Sequence, residues 1–510
     1  MTLIGALIKQ GLILGSRVRL REIEPAREQR RELRKLLRKA RNTAFGKQFG
    51  FDELLASRDT ERLFQERVPL YTYNTIYRDW WHRCLAEETD VCWPGYVKYF
   101  ALSSGTSESA SKHIPVTRDM IKALRKASIR QILTLGRYDL PSEFFEKGIL
   151  WLGGSTDLKR QGGYYEGDVS GISARRVPIW FQRYYKPGKE ISREKDWNIK
   201  LEEITRQAAN WDIGIITGVP SWVQLLLEKV IERYQLKTIH DLWPNLRVYA
   251  HGGVSFEPYR SSFEKFFAHP VHYIEMYPAS EGFFAFQTEP GARHMRMVLN
   301  NGIYFELIPF NETNFDEHGE PRPEAKALTI DRAENGKDYA LVLSSCAGAW
   351  RYLIGDVIRF TDVSQGDLII TGRTKHFLSL VGEHLSVDNM NHAVEAVSRR
   401  FGIDIPEFTV CGVPHEGSFA HQWYLGVQHG SLDAAAAIAC LDEELKRLND
   451  DYAVERGSAL HTPLLKAIPS ERFYQFMQSN GRMGGQNKFP RVMKAAQHEA
   501  WKEFLERSSH

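Results

Sequence analysis

Three stretches of this chain begin alike, with an apolar run of strand length closed by a turn, and the first two continue into a helical pattern. Asp212-Ile213-Gly214-Ile215-Ile216-Thr217-Gly218 is the first, with a helical pattern over residues 222–234 behind it. Leu246-Arg247-Val248-Tyr249-Ala250-His251-Gly252-Gly253 is the second, again followed by helix. Val271-His272-Tyr273-Ile274-Glu275-Met276-Tyr277 is the third and runs into Pro278-Ala279-Ser280-Glu281-Gly282. Strands that alternate with helices pair largely in parallel and are covered on both faces, so the repeat predicts an α/β core. Ligands of such sheets sit beyond the carboxyl ends of the strands. The loops at Gly218, at Gly252-Gly253 and at Ser280-Glu281 are therefore expected to share one rim.

After about residue 300 the pattern changes to shorter strands, expected at 303–308, 338–344 and 357–361, with Pro321-Arg322-Pro323 marking a loop. From Gly372 onward helix and strand alternate again: helix 387–401, strands 408–413 and 422–428, helix 432–450. That predicts a small α+β unit, with Gly372-Arg373-Thr374-Lys375 as its hinge, and a division into domains 1–372 and 373–510. Two domains also suit 510 residues, more than one compact core holds.

Upstream, residues 26–41 carry Leu33, Leu36, Leu37 and Ala40 at helical spacing, with a basic outer face read as solvated. A second helix is expected over 117–135. Its cations Arg125, Lys126 and Arg130 either neutralise a carboxylate or stay in solvent, and they receive no role. Residues 1–14 are apolar, but Lys9 and Gln10 interrupt them, so they read as an amphipathic first helix packed on the body. No run of about 18 apolar residues is present, and neither a membrane span nor a membrane partner is expected. A formal net charge of +3 gives no case for nucleic acid. The five cysteines are scattered and form no metal-ligand spacing, which points to a reducing, cytoplasmic setting.

The stretch Leu102-Ser103-Ser104-Gly105-Thr106-Ser107-Glu108-Ser109-Ala110-Ser111-Lys112 follows a short apolar run from Tyr99. Small residues let a backbone approach phosphate oxygens, while hydroxyls and N–H groups supply donors without bulk. A polyphosphate is the ligand such a loop suits, and a Ser/Gly-rich surface turn is the alternative. It is not a Walker A loop, since Gly-x-x-x-x-Gly-Lys-Ser/Thr is absent from the chain.

Three later phrases follow it in order: Tyr277-Pro278-Ala279-Ser280-Glu281-Gly282, then Tyr352-Leu353-Ile354-Gly355-Asp356, then Thr371-Gly372-Arg373. Together they resemble the adenylate-forming superfamily of acyl-CoA ligases, luciferases and peptide-synthetase adenylation domains. The wording at Ser103 to Ser107 and at Trp350-Arg351-Tyr352-Leu353-Ile354-Gly355-Asp356 resembles one branch, the Gretchen Hagen 3 (auxin-responsive promoter) family of acyl-acid amido synthetases. Asn42-Thr43-Ala44-Phe45-Gly46-Lys47, Val68-Pro69-Leu70-Tyr71 and Asn487-Lys488-Phe489-Pro490-Arg491 are similar to phrases of the same family. The resemblance implies a large N-terminal adenylate-forming domain with mixed sheets and flanking helices, plus a small mobile C-terminal domain.

It also implies roles. Ser103, Ser104, Gly105, Thr106 and Ser107 match the loop that grips the outer phosphates of ATP. Ser280 matches an α-phosphate contact, and Glu281 matches a catalytic carboxylate that contributes to Mg²⁺ binding. Tyr277 offers a ring beside adenine, Asp356 matches the aspartate that accepts from the ribose hydroxyls, and Arg373 matches the hinge arginine that reaches the nucleotide. Lys488 matches the catalytic lysine delivered by the small domain. Gly382-Glu383-His384 departs from many relatives, which place lysine where His384 stands. ATP and Mg²⁺ are the implied cofactors, and a small carboxylic acid and an amino acid the implied substrates. Two readings stand beside this one: a thioester-forming ligase, and a non-catalytic binding protein on the same fold. A hydrolase is disfavoured because Gly-x-Ser-x-Gly does not occur.

Overall fold

The computed structural model describes residues 3–19, 24–103, 112–175, 181–316, 319–374, 377–378, 380, 383, 385–416, 418–457, 460–484 and 487–507. The chain forms two compact units. One comprises Met1–Gly253, Phe267–Asn314 and Pro321–Ile369; the other comprises Val254–Phe266, Phe315–Glu320 and Ile370–His510.

In the first unit the predicted strand–turn–helix repeats become the parallel part of a large mixed sheet. Strands Gly148–Leu152, Ile213–Gly218, Val248–Gly252 and His272–Ala279 lie side by side and parallel. Helix Pro220–Tyr234 follows the second of them, with proline at its first turn, where no N–H partner is needed. Beyond His272–Ala279 the sheet continues antiparallel through Gly282–Phe286 and Met295–Met297 to Asp367–Arg373. It ends with Tyr352–Asp362, Asp338–Ser345 and Ile303–Pro309. A smaller four-stranded sheet holds Tyr99–Ser103 against Lys112–Val116.

Helices cover this sheet as their apolar spacing requires. Pro25–Ala40 buries Leu33, Leu36, Leu37 and Ala40, the positions read from the sequence. Arg118–Thr134 is capped by Thr117, whose side chain accepts from the Met120 N–H and whose hydroxyl donates to the Cys346 carbonyl at 2.6 Å. The first helix, Leu3–Arg19, packs on the body as expected. An aromatic knot around fully buried Trp350 joins distant segments, with Phe45 stacked at 5.6 Å and Phe51 edge-on at 4.8 Å.

The strand expected at 357–361 is longer, Tyr352–Asp362, because its first half is interrupted rather than absent. Between Ala340↔Val357 and Val342↔Leu353 the partner strand advances two residues while this strand uses four. Ile354, Gly355 and Asp356 form the resulting bulge, and Gly355 sits at φ +90°, a conformation that favours glycine.

The second unit is the α+β fold expected after residue 372. Glu407–His415 and Ser418–Val427 pair antiparallel, and Leu464–Pro469 adds in parallel. Helices Val387–Phe401 and Ala434–Leu448 share a core with that sheet through Val394, Val397, Phe408, Trp423, Leu441 and Leu445. Ser386 and Asn389 form a capping box at the first of these helices.

Candidate active site

The carboxyl ends of the parallel strands fall on one rim, as the alternation predicted. Leu152 pairs with Gly218, Gly218 with His251, and Gly252 with Met276. A Cβ at Gly252 would lie 2.3 Å from the Met276 carbonyl oxygen, so only glycine permits this close approach. His272–Ala279 runs three residues past Met276, turns on Ser280 and Glu281, and returns with Gly282 opposite Ala279. A two-residue hairpin turn is normally solvated. Here Ser280 and Glu281 are only 4% and 6% exposed, so two polar side chains are held inside the end of the sheet.

Tyr277 and Asp356, 79 residues apart in sequence, meet at this rim. The Tyr277 hydroxyl donates to Asp356 Oδ2 at 2.6 Å. The Tyr277 ring is buried and meets Phe284 edge-on at 5.0 Å. Asp356 is half-buried on the bulge, which turns it out of the regular strand register. Three residues that the family resemblance links (Tyr277, Glu281, Asp356) thus belong to one end of one sheet.

The bulge rests on a buried ion pair that the motif reading passed over. Arg351 and Glu306 have side chains 7% and 0% exposed, with Arg351 Nε 3.1 and 3.2 Å from the two carboxylate oxygens. Arg351 Nη1 donates to the carbonyls of Gln65 and Val68 at 2.8 and 2.7 Å, and the Gln65 amide donates to Glu306 at 2.9 Å. The Tyr71 N–H donates to the Arg351 carbonyl, and the Leu353 N–H donates back to the Tyr71 carbonyl. Val68-Pro69-Leu70-Tyr71 is therefore the strap that fixes the start of the Asp356 strand. A lone arginine in an apolar phrase was the available signal.

The other matched residues lie in the second unit. Arg373 is the last residue of its strand and half-buried; Lys488 is exposed. Arg491, three residues after Lys488, is the anchor of its phrase. Its guanidinium donates to Glu407 Oε2 at 2.8 Å and to the Tyr259 hydroxyl at 3.3 Å, and lies 4.4 Å over the Phe408 ring. Tyr259 in turn donates to Glu407 Oε1 at 2.6 Å. Burial, and next the Glu407 carboxylate, push the Tyr259 phenol well above its ordinary range and keep it a donor. The backbone is tied down as well: the Val410 N–H donates to the Arg491 carbonyl, and the Met493 N–H donates to the Val410 carbonyl, both at 2.9 Å.

Ser103 closes the strand Tyr99–Ser103 and pairs with Lys112, so these two residues flank the proposed phosphate loop. Ser104, Gly105, Thr106 and Ser107 lie outside the described residues, as do Lys375 and His384. Lys112 itself sits in a strand, its ammonium 5.3 Å from the Tyr73 ring centroid. Among the described residues no three His, Cys, Asp or Glu side chains gather as a metal cage. A single carboxylate such as Glu281 still fits Mg²⁺, which keeps most of its waters and takes its other ligands from phosphate.

Models of the GH3 family match in three consecutive parts: the N-terminal domain over 19–201 and 164–271, the central domain over 296–367, and the C-terminal domain over 388–497. The chain is 21% identical to indole-3-acetic acid-amido synthetase GH3.2 of Arabidopsis thaliana over 455 residues, 76% of this chain and 81% of that protein. Among solved structures it is similar to the GH3.15 acyl acid amido synthetase, with TM-score 0.77 and 17% identity, covering 98% of this chain and 96% of that one. A 2-hydroxyisobutyryl-CoA ligase with 2-HIB-AMP shares the fold at TM-score 0.56 and 14% identity, over 93% and 91%. By the match of all three family domains along its length, the chain belongs to the GH3 family.

Proposed function

We propose that this protein is an ATP-dependent acyl-acid amido synthetase. It joins a small carboxylic acid to the amine of an amino acid through an acyl adenylate. The observation that carries the reading is the Tyr277–Asp356 hydrogen bond beside the buried Ser280-Glu281 turn. It supports a nucleotide site at the end of the sheet. The names of the relatives supply the reaction class.

In the first half-reaction a carboxylate oxygen of the acid attacks the α-phosphorus of ATP, and the bond to the β-phosphate breaks to release pyrophosphate. Asp356 accepts hydrogen bonds from the ribose hydroxyls, oriented by Tyr277, and charge assistance makes such bonds strong. Ser280 donates to the α-phosphate. Glu281 would hold magnesium, which when bound supplies positive charge to the phosphates. Ser103 to Ser107 hold the outer phosphates, and Lys488 neutralises charge developing in the transition state. In the second half-reaction the amine nitrogen attacks the acyl carbonyl, the acyl–phosphate C–O bond breaks, AMP leaves, and the nitrogen loses a proton. Rotation of a small domain about residues 372–375 would let one pocket serve both halves.

The test is Mg²⁺-dependent exchange of labelled pyrophosphate into ATP, run over a panel of carboxylic acids. Exchange is expected with an accepted acid and is expected to fall on the order of 10²–10³-fold in Glu281→Ala and Asp356→Ala. Unchanged exchange in both variants would contradict the assignment of the site.

A further inference from the structure

The first helix, Leu3–Arg19, is fixed to the body along one face. A Cβ at Gly15 would lie 2.8 Å from the Leu133 side chain, so glycine lets this helix settle on the end of Arg118–Thr134. Lys9 donates to the Leu140 carbonyl at 2.6 Å, and the Gly5 N–H to Glu146 at 2.6 Å. Its other face is apolar and open: Ile4, Leu7 and Leu14 are 56%, 66% and 65% exposed. On the neighbouring helix Ile129 and Ile132 are also exposed. These five are half of the large apolar side chains that are exposed among the described residues, gathered on two helices that touch.

The neighbouring helix also concentrates positive charge: Arg118–Thr134 holds five Lys and Arg residues and a single acid, Asp119. The whole chain is only +3, so the remainder of the protein is net negative. Lys122, Arg125, Lys126 and Arg130 line one open groove with Ile129 between them. Apolar side chains beside a dense cationic stripe match a surface that is apolar just beneath an anionic layer. A second copy of the chain would bring the same positive charge against itself. A nucleic acid would leave the apolar stripe in water.

We propose that the open face of Leu3–Arg19, with the cationic groove of Arg118–Thr134, docks this protein on the surface of an anionic lipid bilayer. The mode is peripheral, because among the described residues no helix is long and apolar enough to cross a membrane.

The experiment is flotation of the full chain with vesicles of phosphatidylcholine alone or phosphatidylcholine containing phosphatidylglycerol, at low and high salt. Wild type is expected to float with the anionic vesicles, with at least about tenfold lower partition to neutral vesicles or at high salt. Leu7→Glu/Leu14→Glu and Lys122→Glu/Arg125→Glu each remove at least about tenfold of the binding. All four positions are exposed, so unchanged thermal midpoints are expected and keep a binding loss distinct from misfolding. Three outcomes would overturn the proposal: no flotation with anionic vesicles, equal binding to neutral ones, or binding untouched by Leu7→Glu/Leu14→Glu. Dimerisation that the leucine variant abolishes would assign the face to a second copy and overturn it as well.

Discussion

Replacing Arg351 by Met tests how the candidate site is held in place. The side chain is buried, contacts both oxygens of fully buried Glu306, and donates to two backbone carbonyls. Removing one member of a buried pair strands the other charge and typically costs about 3–5 kcal/mol. The Gln65 amide still donates to Glu306 in the variant, which softens the penalty, while the Gln65 and Val68 carbonyls lose a donor at about 1 kcal/mol each. A loss of roughly 4 kcal/mol is therefore expected. Arg351 already sits at φ +43°, and methionine at that position changes no backbone preference. Equilibrium urea unfolding, followed by tryptophan fluorescence, measures the effect. Arg351→Met/Glu306→Leu, which removes the stranded charge as well, should recover at least half of the loss. A single variant costing under about 1 kcal/mol would refute the reasoning, as would a double variant no more stable than the single.

Tyr277→Phe keeps the ring in its packing and removes the hydroxyl from Asp356. A hydrogen bond to a charged group is worth about 1.5–3 kcal/mol, so the KM for ATP in the exchange reaction should rise on the order of tenfold or more, with the KM for the acid unmoved. Lys200, buried beside the end of Gly148–Leu152, donates to the Gly153 carbonyl at 3.3 Å, and burial lowers its pKa from 10.5 to about 8, against the pull of Asp168. Between those two values the unfolded chain holds a proton that the folded chain has released, so wild-type stability rises with pH there. Relative to Lys200→Met, wild type should gain on the order of 3 kcal/mol between about pH 8 and 10.5 in urea midpoints taken across that range. A difference that stays flat with pH would contradict it.

Much of the first unit's sheet was legible because its signals are local. Ile213–Gly218, Val248–Gly252 and His272–Ala279 each announce themselves as an apolar run closed by a turn, and the register then forces their ends onto one rim. The Ser280-Glu281 turn was visible for the same reason. What the pattern does not carry is pairing across long sequence distance. Glu306 looks like an ordinary strand charge and Arg351 like a lone arginine in an apolar phrase until the fold sets them face to face. Arg491 was matched as part of a phrase, while its partners Glu407 and Tyr259 come from positions 84 and 232 residues earlier. Val254–Phe266, which follows a strand of the first unit, clusters with the second, and no local periodicity signals that choice. The Tyr352–Asp362 strand was read as half its length because a bulge breaks the alternation that strand recognition depends on.

The central claim is that an amine takes the acyl group. The direct measurement supplies an accepted acid, ATP and Mg²⁺ together with either CoA or a mixture of amino acids, and identifies the products by mass. The account predicts AMP and an N-acyl amino acid in equal amounts, formed only when amino acids are present. A CoA thioester with no amide would contradict it, while leaving adenylation itself untouched.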